Sequence, residues 1–230
     1  LVERETTRLR LVLTDQHASG QARHVAVLGS IHLDIHNGED ENAFERAEIS
    51  KFEIKPDYWF AYLNGFVFES QWDRLLTWLR WLKPKLAWND VANVNDFLNL
   101  WRLAAEQRDI EQEHRGVMIS LLPASYDQYA KFLLAKGEYQ EWADVCLLLN
   151  LTTDRIDAAQ LKLVEKANVQ FLLPIYHHNI ESFIQGKNRP DYIQAIKLLK
   201  KLAAAYKRLK LTPRFEVYLG QIVKQYAKYR

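Results

Sequence analysis

Two histidines four residues apart, His32 and His36, have the residue type and spacing that can hold a metal ion. On a helix this spacing places both imidazoles on one face. No Glu lies between them as in the metalloprotease pattern, and no third ligand is evident, although His17 and His24 precede them. A solvated or helix-capping pair is the favoured interpretation, and the sequence predicts neither a metal site nor a cofactor.

A second group of side chains that could do chemistry lies at Tyr176, His177 and His178, close to Pro174. Adjacent helical residues point about 100° apart, so the two imidazoles cannot share a face. A general base also needs a hydrogen-bonding partner, and the sequence shows none. A structural role for Tyr176 in a helix interface is expected, and an enzyme that uses His177 or His178 is the remaining alternative.

The single cysteine, Cys146, lies in an apolar run. The nearby Glu141 and Asp144 disfavour a thiolate, so a buried thiol that packs as a small hydrophobe is predicted. One cysteine also excludes a disulfide framework within this chain and a zinc site built on several of its thiolates.

Basic residues concentrate at the end of the chain. Residues 186–230 include 12 basic and 2 acidic side chains, whereas the rest of the sequence has 19 basic and 27 acidic ones. Such polarisation indicates an anionic partner, although lysine-rich helices are also common as solvated faces. A phosphate backbone is one such partner. The polyanion-binding candidates are Lys197, Lys200, Lys201, Lys207, Arg208, Lys210 and Lys224.

Helical periodicity dominates the elements that carry these side chains. Over residues 190–211 apolar residues recur at steps of three and four, which predicts one buried stripe with lysines on the other face. Pro190 suits the first helical position, and Pro213 separates this helix from a last one over residues 215–229. The predicted stripe consists of Tyr192, Ile193, Ile196, Leu199, Leu202, Ala203, Tyr206 and Leu209.

The same periodicity predicts helices upstream. One helix begins at Pro56. Another covers Trp72–Leu82, and Pro84 prevents it from continuing. Gly137 is predicted to cap the C-terminus of the first helix of a further pair. Further helices are predicted at residues 94–107, 125–135, 139–149 and 158–185, the last with a kink or a junction at Pro174.

A spacing of 67 residues recurs along the chain. It separates Pro56, Pro123 and Pro190, and at the same offset it aligns Trp72 with Tyr139 and Tyr206, and Leu75 with Trp142 and Leu209. The spacing is about twice the ~34-residue repeat of tetratricopeptide proteins. It predicts a bulky aromatic at the start of each second helix, and a repeat origin and convergence both remain open.

The first 50 residues carry weaker signals. Residues 3–13 and 21–35 predict two helices joined near Ser19 and Gly20, although residues 8–13 also alternate as a strand does. An acidic turn is expected at residues 37–41.

Composition narrows the class of protein. Eight Gly and six Pro in 230 residues are few for a sandwich or a barrel, which need many tight turns. No apolar run reaches the ~18 residues that span a bilayer, so no membrane association is expected. Phosphate loops, dinucleotide fingerprints and nucleophile elbows are absent from the sequence, which lowers the expectation of an enzyme.

Part of the chain resembles the C-terminal helical region of bacterial SWIM zinc-finger proteins. The resemblance is carried by LLPIYHH at residues 172–178, Ile184, KNRPDY at 187–192, AIKLLKKL at 195–202 and YKRL at 206–209. QWDRLL at residues 71–76 and WLRWL at 78–82 are similar to the upstream helical repeats of that family. The resemblance is strong over about 60 residues and looser over most of residues 56–230.

This resemblance implies a role in protein or nucleic-acid interaction, alongside helicase-type partners. The zinc site that defines the family needs several cysteines, so no zinc ligand is carried over to this chain. The chain is therefore expected to be a segment downstream of the finger in a larger cytoplasmic bacterial protein.

Together these patterns predict an all-α protein, a right-handed α-α superhelix of stacked helical hairpins similar to tetratricopeptide arrays. One repeat domain is expected over residues 1–230, with an N-terminal hairpin at residues 1–50 and basic helices at 186–230. The predicted function is a non-catalytic scaffold for protein–protein interaction, with nucleic-acid binding as the alternative. The partner and the oligomeric state stay open.

Overall fold

The computed structural model describes residues 2–50, 54–85 and 91–226, and throughout these ranges the regular secondary structure is helical. The all-α prediction is therefore confirmed. No helix within these ranges is long and apolar enough to cross a membrane. The chain divides into two compact units, Leu1–Ala124 (unit 1) and Ser125–Arg230 (unit 2). The expectation of one repeat domain over residues 1–230 stays a prediction.

Unit 1 consists of seven α-helices within the described residues. They are α1 (Val2–Thr14), α2 (Gly20–Asn37), α3 (Asp40–Ile49), α4 (Pro56–Phe68), α5 (Trp72–Leu82), α6 (Val91–Ala105) and α7 (Glu111–Ser120). Neighbours in sequence pack as hairpins, among them α2 with α3, α4 with α5 and α6 with α7. Gly38 ends α2 with φ 79°, a left-handed conformation that costs glycine little, so only Gly38 and Glu39 separate α2 from α3.

Aromatic side chains form the centre of unit 1. Phe44 of α3, Trp59 and Phe66 of α4, and Trp78 and Trp81 of α5 contact one another, with ring centroids 4.6 to 6.0 Å apart. Trp78 is fully buried. Burying a large apolar side chain contributes roughly 1.5–3 kcal/mol, so this cluster holds the two hairpins together.

Polar ties between unit 1 elements follow a regular spacing. The guanidinium of Arg74 donates to both carboxylate oxygens of Asp40, 34 residues earlier, at 2.6 and 2.7 Å. Arg108 binds Asp73 in the same bidentate way at 2.9 and 3.0 Å, across 35 residues. The second helix of one hairpin is thus tied to a basic residue in, or just before, the second helix of the next.

Two further ties have nearly the same spacing. Arg80 of α5 donates to both oxygens of Glu113 in α7, 33 residues later, at 2.7 and 2.8 Å. The indole of Trp81 donates to Glu48 in α3, also 33 residues away, at 2.9 Å. Helix α5 therefore lies next to both α3 and α7, so the second helices of successive hairpins follow one another in space in the order in which they occur in the chain.

Unit 2 consists of α8 (Tyr126–Lys136), α9 (Tyr139–Leu148), α10 (Ala158–Asn168), α11 (Leu173–Gln185), α12 (Arg189–Arg208) and α13 (Thr212–Tyr226). The predicted junction at Pro174 is confirmed, because a 3-10 turn at Val169–Leu172 separates α10 from α11 and Pro174 lies in the first turn of α11. Gly137 ends α8 with φ 75° as predicted.

The fully buried Asn179 of α11 fixes the loop that precedes α10. Its side-chain oxygen accepts from the backbone N–H of Thr153 at 2.6 Å, and its amide donates to the carbonyl of Leu151 at 3.1 Å. Both polar ends of a buried amide are thereby satisfied, which avoids a cost of ~1–3 kcal/mol for each unpaired group.

Several sequence expectations were wrong in detail. Helices α3 and α7 were not predicted, and the acidic turn at residues 37–41 is shorter than expected, because Asp40 already lies in α3. By contrast, the helix predicted over residues 3–13 is confirmed, and the alternating residues 8–13 are part of it. In the third copy of the 67-residue spacing Tyr206 lies near the end of α12 and starts no second helix, so the predicted aromatic position fails there.

Candidate interaction face on helix α12

Helix α12 carries most of the predicted polyanion-binding residues on one side. Lys197, Lys200, Lys201, Lys207 and Arg208 are all exposed. At 3.6 residues per turn they fall within an arc of about 120°. These five residues are called the basic face below.

The other two candidates lie outside α12. Lys210 is exposed in the turn that follows the helix, with φ 60°, and the backbone N–H of Leu211 donates to the carbonyl of Tyr206 at 2.8 Å to close that turn. Lys224 is exposed on α13. The fold therefore groups five candidates on one helix and places two on the elements that follow.

No ion pair joins any of the seven candidates to another described residue. One polar contact holds Arg208, whose guanidinium donates to the carbonyl of Glu165 at 3.3 Å. Unit 1 differs, because there several basic residues pair with a carboxylate of another element: Arg46, Arg74, Arg80, Lys85 and Arg108. The cations of the basic face are thus available to an external anion.

The buried stripe of α12 differs from the predicted one. Ile193 and Ile196 were expected in the core, but their side chains are 45% and 53% exposed. The residues that α12 buries are instead Ala195, Leu198, Leu202 and Ala205. Small alanines let α12 pack closely against α11, its main neighbour, and this rotates the larger isoleucines toward solvent.

Three further residues that the sequence pattern did not predict as surface contacts lie on the same side of α12 as the basic face. They are Arg189, Ile193 and Ile196. Together with Lys200 they form a series with steps of four, three and four residues, so all four side chains lie on the outward side of α12. All four are exposed. The sequence does contain the stripe that is buried, Ala195, Leu198, Leu202 and Ala205, at steps of three and four residues. Two of its four members are alanines, which are only weakly hydrophobic, so the pattern with the isoleucines was the stronger one.

The last helix exposes apolar residues as well. Ile222 is its buried hydrophobic residue, whereas Val217 and Val223 are 63% and 60% exposed. Helix α13 therefore adds exposed apolar surface and two exposed cations, Arg214 and Lys224, to the end of unit 2.

His177 joins the last three helices of unit 2. Its Nε2 lies 2.9 Å from the hydroxyl of Tyr206 in α12, and its ring meets the Tyr218 ring of α13 edge-on at 4.1 Å between centroids. Burial lowers the pKa of His177, which favours the neutral imidazole. His178 is exposed. These contacts favour a structural imidazole, and they do not bring together the two histidines of the enzyme alternative.

Two phenols, those of Tyr206 and Tyr218, contact this imidazole. The Tyr218 hydroxyl is buried and has no hydrogen-bonding partner among the described residues, and burial is the main cause of its raised pKa. Tyr176 is buried, consistent with the structural role expected for it. The cluster therefore holds α11, α12 and α13 in place behind the basic face.

The other side chains singled out in the sequence lie apart from α12. Cys146 is fully buried, with its sulfur 3.4 Å from the Tyr126 hydroxyl. Nδ1 of His32 lies 2.9 Å from the hydroxyl of Tyr62, and the His32 and His36 rings stack at 6.4 Å. In residues 2–50, 54–85 and 91–226 no group of three or more His, Cys, Asp or Glu side chains could hold a metal ion.

A cavity of about 600 Å³ opens between α1, α2 and α3. Two arginines line it, and both are engaged in the fold: Arg46 with Asp34 at 2.5 Å, and Arg23 with the carbonyls of Asp15 and Gln16 at 3.0 Å. The basic face is consequently the better candidate for ligand contact, since its four lysines have no such partners among the described residues and only Arg208 donates to a backbone carbonyl.

Comparison with known proteins gives one relative. The chain is 27% identical over 211 residues to the uncharacterized protein YwqB of Bacillus subtilis (strain 168). The match covers 88% of this chain but 39% of that relative, so the chain spans well under half of its length. No family model and no solved structure matches. The resemblance to SWIM zinc-finger proteins therefore stays a prediction.

Proposed function

We propose that this chain is a non-catalytic helical-repeat scaffold that mediates protein–protein interaction within a larger SWIM zinc-finger-type protein. The observation that carries the proposal is the basic face, with five exposed cations on one helix and no ion pair to another described residue. A folded chain gains little from such an arrangement, because adjacent like charges repel. A partner with complementary charge would remove that repulsion.

The architecture of unit 1 supports the scaffold proposal. Its ties recur every 33 to 35 residues, close to the ~34-residue repeat of tetratricopeptide arrays. Stacked helical hairpins of this kind form extended surfaces, and their usual task is binding. A right-handed superhelix of such hairpins is the arrangement that we propose.

Nucleic-acid binding is the second candidate, and the same unpaired cations support it. Lysine and arginine side chains that contact phosphates release counterions, so binding of this type weakens steeply as salt rises. Five cations along about 17 Å of helix, at 1.5 Å per residue, could follow a phosphate backbone.

The first test compares two triple variants of the full chain. Lys200→Glu, Lys201→Glu and Lys207→Glu reverse the basic face, and Lys131→Glu, Lys162→Glu and Lys166→Glu reverse three exposed lysines on α8 and α10 as a matched control. Each immobilised protein is exposed to an extract of the source organism, and captured proteins are identified by mass spectrometry. In parallel, fluorescence anisotropy measures binding to short single- and double-stranded DNA and RNA across a salt series.

We expect the wild type and the control triple to capture the same proteins and the basic-face triple to lose them. Equal capture by all three proteins would place the contact surface elsewhere. If instead the wild type binds DNA or RNA at micromolar concentration or tighter, with a linear loss in log–log salt, the nucleic-acid candidate replaces the protein scaffold. An absence of any binding by the wild type would contradict both.

A further inference from the structure

We infer that the outward side of α12 is a docking surface for an acidic amphipathic helix of a partner protein. This inference rests on the proposed function, because it assigns a partner chemistry to the basic face. It is carried by the two exposed isoleucines, Ile193 and Ile196, which lie among the unpaired cations of the same helix.

The isoleucines form a patch rather than isolated exposures. Ile193 and Ile196 are three residues apart, so their Cβ atoms are about 5–6 Å apart on the helix surface. Lys197 follows Ile193 by four residues and Lys200 follows Ile196 by four, so each isoleucine has a cation as its direct neighbour. About two turns after Ile196, toward the C-terminus of α12, the exposed Ala204 has a small side chain that lets a partner backbone approach closely.

A second row of charges runs beside this patch. Lys197, Lys201 and Arg208 are four and seven residues apart, which keeps them in line along one edge of the outward side. The surface therefore has a central row in which Ile193, Ile196 and Ala204 alternate with cations, and a second, purely basic edge beside it. A helix with an apolar stripe next to glutamates or aspartates complements both features.

The size of the surface fits the same partner. From Arg189 to Lys207 the outward residues extend over about 27 Å at 1.5 Å per residue, which equals five turns of a partner helix of about 18 residues. Two long helices that pack side by side bury apolar ridges along their whole length.

Charge complementarity with apolar contact favours a protein over nucleic acid. A phosphate backbone would satisfy the lysines, but it offers no apolar surface to Ile193 and Ile196 and would place anions next to them. An acidic amphipathic helix covers the isoleucines and pairs with the lysines at the same time. The isoleucines therefore distinguish the two classes of partner.

The test uses defined peptides and the full chain. The probe is a fluorescent, end-capped peptide of about 18 residues with leucines along one helical stripe and glutamates elsewhere. A second peptide of the same composition has its leucines distributed around the helix, and a DNA oligonucleotide is a third probe. The variants are I193A/I196A, the basic-face triple Lys200→Glu, Lys201→Glu and Lys207→Glu, and the α8–α10 control triple. Because all substituted side chains are exposed, circular dichroism should show unchanged helix content.

We expect the amphipathic peptide to bind the wild type at least tenfold more tightly than the rearranged peptide. I193A/I196A should weaken the amphipathic peptide by about tenfold, as expected for loss of buried apolar area, and leave DNA binding unchanged. The basic-face triple should weaken every anionic probe, and the control triple none.

Two other results would separate the inference from the function on which it rests. If the basic-face triple weakens binding but I193A/I196A does not, or if both peptides bind equally, the acidic-helix inference fails and the basic face survives as a purely electrostatic surface. If DNA binds more tightly than the amphipathic peptide, nucleic acid is the partner class. If the basic-face triple changes nothing, the basic face itself is overturned.

Discussion

Burial decides what Cys146 can do. The side chain is fully enclosed in unit 2, and desolvation raises the pKa of its thiol to about 11, although the hydrogen bond with the Tyr126 hydroxyl opposes that rise. A thiolate is the reactive form, so at pH 8 only about one molecule in a thousand carries it. The sequence led to the same interpretation through the acidic neighbours, but burial is the stronger cause.

We therefore predict that Cys146 resists thiol reagents in the native chain. At pH 8 a maleimide or a disulfide reagent should label it far more slowly than a free cysteine, and labelling should reach an ordinary rate in 8 M urea. Cys146→Ser gives the background, and Tyr126→Phe should stay slow, because the thiol stays buried. Stoichiometric labelling within minutes in native buffer would show that the sulfur is accessible.

At the scale of elements, the sequence predicted helices well where residues that start or stop a helix, such as proline, mark their ends. Helix α5 begins and ends at Trp72 and Leu82 as predicted, and α4 begins at Pro56. Helix α3 was missed because only Ala43 and Phe44 are buried along its ten residues, which is too few for a visible stripe. The polar first turn of α7 and its Gly116 hid that helix in the same way.

The seven candidate residues predicted from the sequence are all exposed, but the sequence pattern did not place the exposed isoleucines of α12 beside them. The exposure of the seven candidates follows from charge, which a sequence shows directly. Which apolar residues of α12 face the core depends on what α11 presents, and no single-helix pattern contains that information. Ala195 and Ala205 are buried because small side chains allow α12 to pack closely against α11. Ile193 and Ile196 are consequently exposed to solvent.

The two possible stripes of α12 make opposite predictions for stability. Ala195 is 2% exposed in unit 2, so Ala195→Leu should overpack the interface and lower the free energy of unfolding by about 1–3 kcal/mol. Ile193→Ala should change it by less than about 0.5 kcal/mol, as surface substitutions usually do. Urea unfolding followed by circular dichroism measures both. A large loss with Ile193→Ala and none with Ala195→Leu would restore the stripe predicted from the sequence.

Unit 1 should lose stability in acid because of its interhelical ties. The hydrogen bonds from Arg80 lower the pKa of Glu113, and those from Arg108 lower the pKa of Asp73. A carboxylate with a lowered pKa stabilises the fold above its unfolded pKa, and that stability is lost as the pH falls through the folded pKa. The urea concentration at the midpoint of unfolding should therefore decrease as the pH is lowered from about 5 toward 2.

Tryptophan fluorescence during urea titration measures this, since six of the seven tryptophans belong to unit 1. Glu113→Gln and Asp73→Asn together should flatten the acid dependence. Asp96→Asn is the control, because Asp96 is exposed and has no ion pair with a described residue. If the double variant and the wild type lose stability in parallel, the ties do not contribute.

At the scale of the whole molecule, charge is divided between the units. Unit 1 has 14 basic and 19 acidic residues, a net charge of −5, whereas unit 2 has 17 and 10, a net charge of +7. The overall charge of +2 hides this division. The difference extends to the contacts, since several cations of unit 1 are held in interhelical pairs and those of the basic face are not.

This division predicts that unit 2 alone binds an anionic probe more tightly than the full chain does at low salt. Residues 125–230 have the size of an independent domain, and the buried Trp142 reports on their folding. Removing residues 1–124 removes net negative charge, whose long-range repulsion is screened beyond about 10 Å at 0.1 M salt. The two proteins should therefore differ in affinity for the acidic peptide at 20 mM salt and converge at 500 mM. Binding by residues 1–124 alone, or an affinity difference that salt does not change, would show that the contact surface lies outside the basic face.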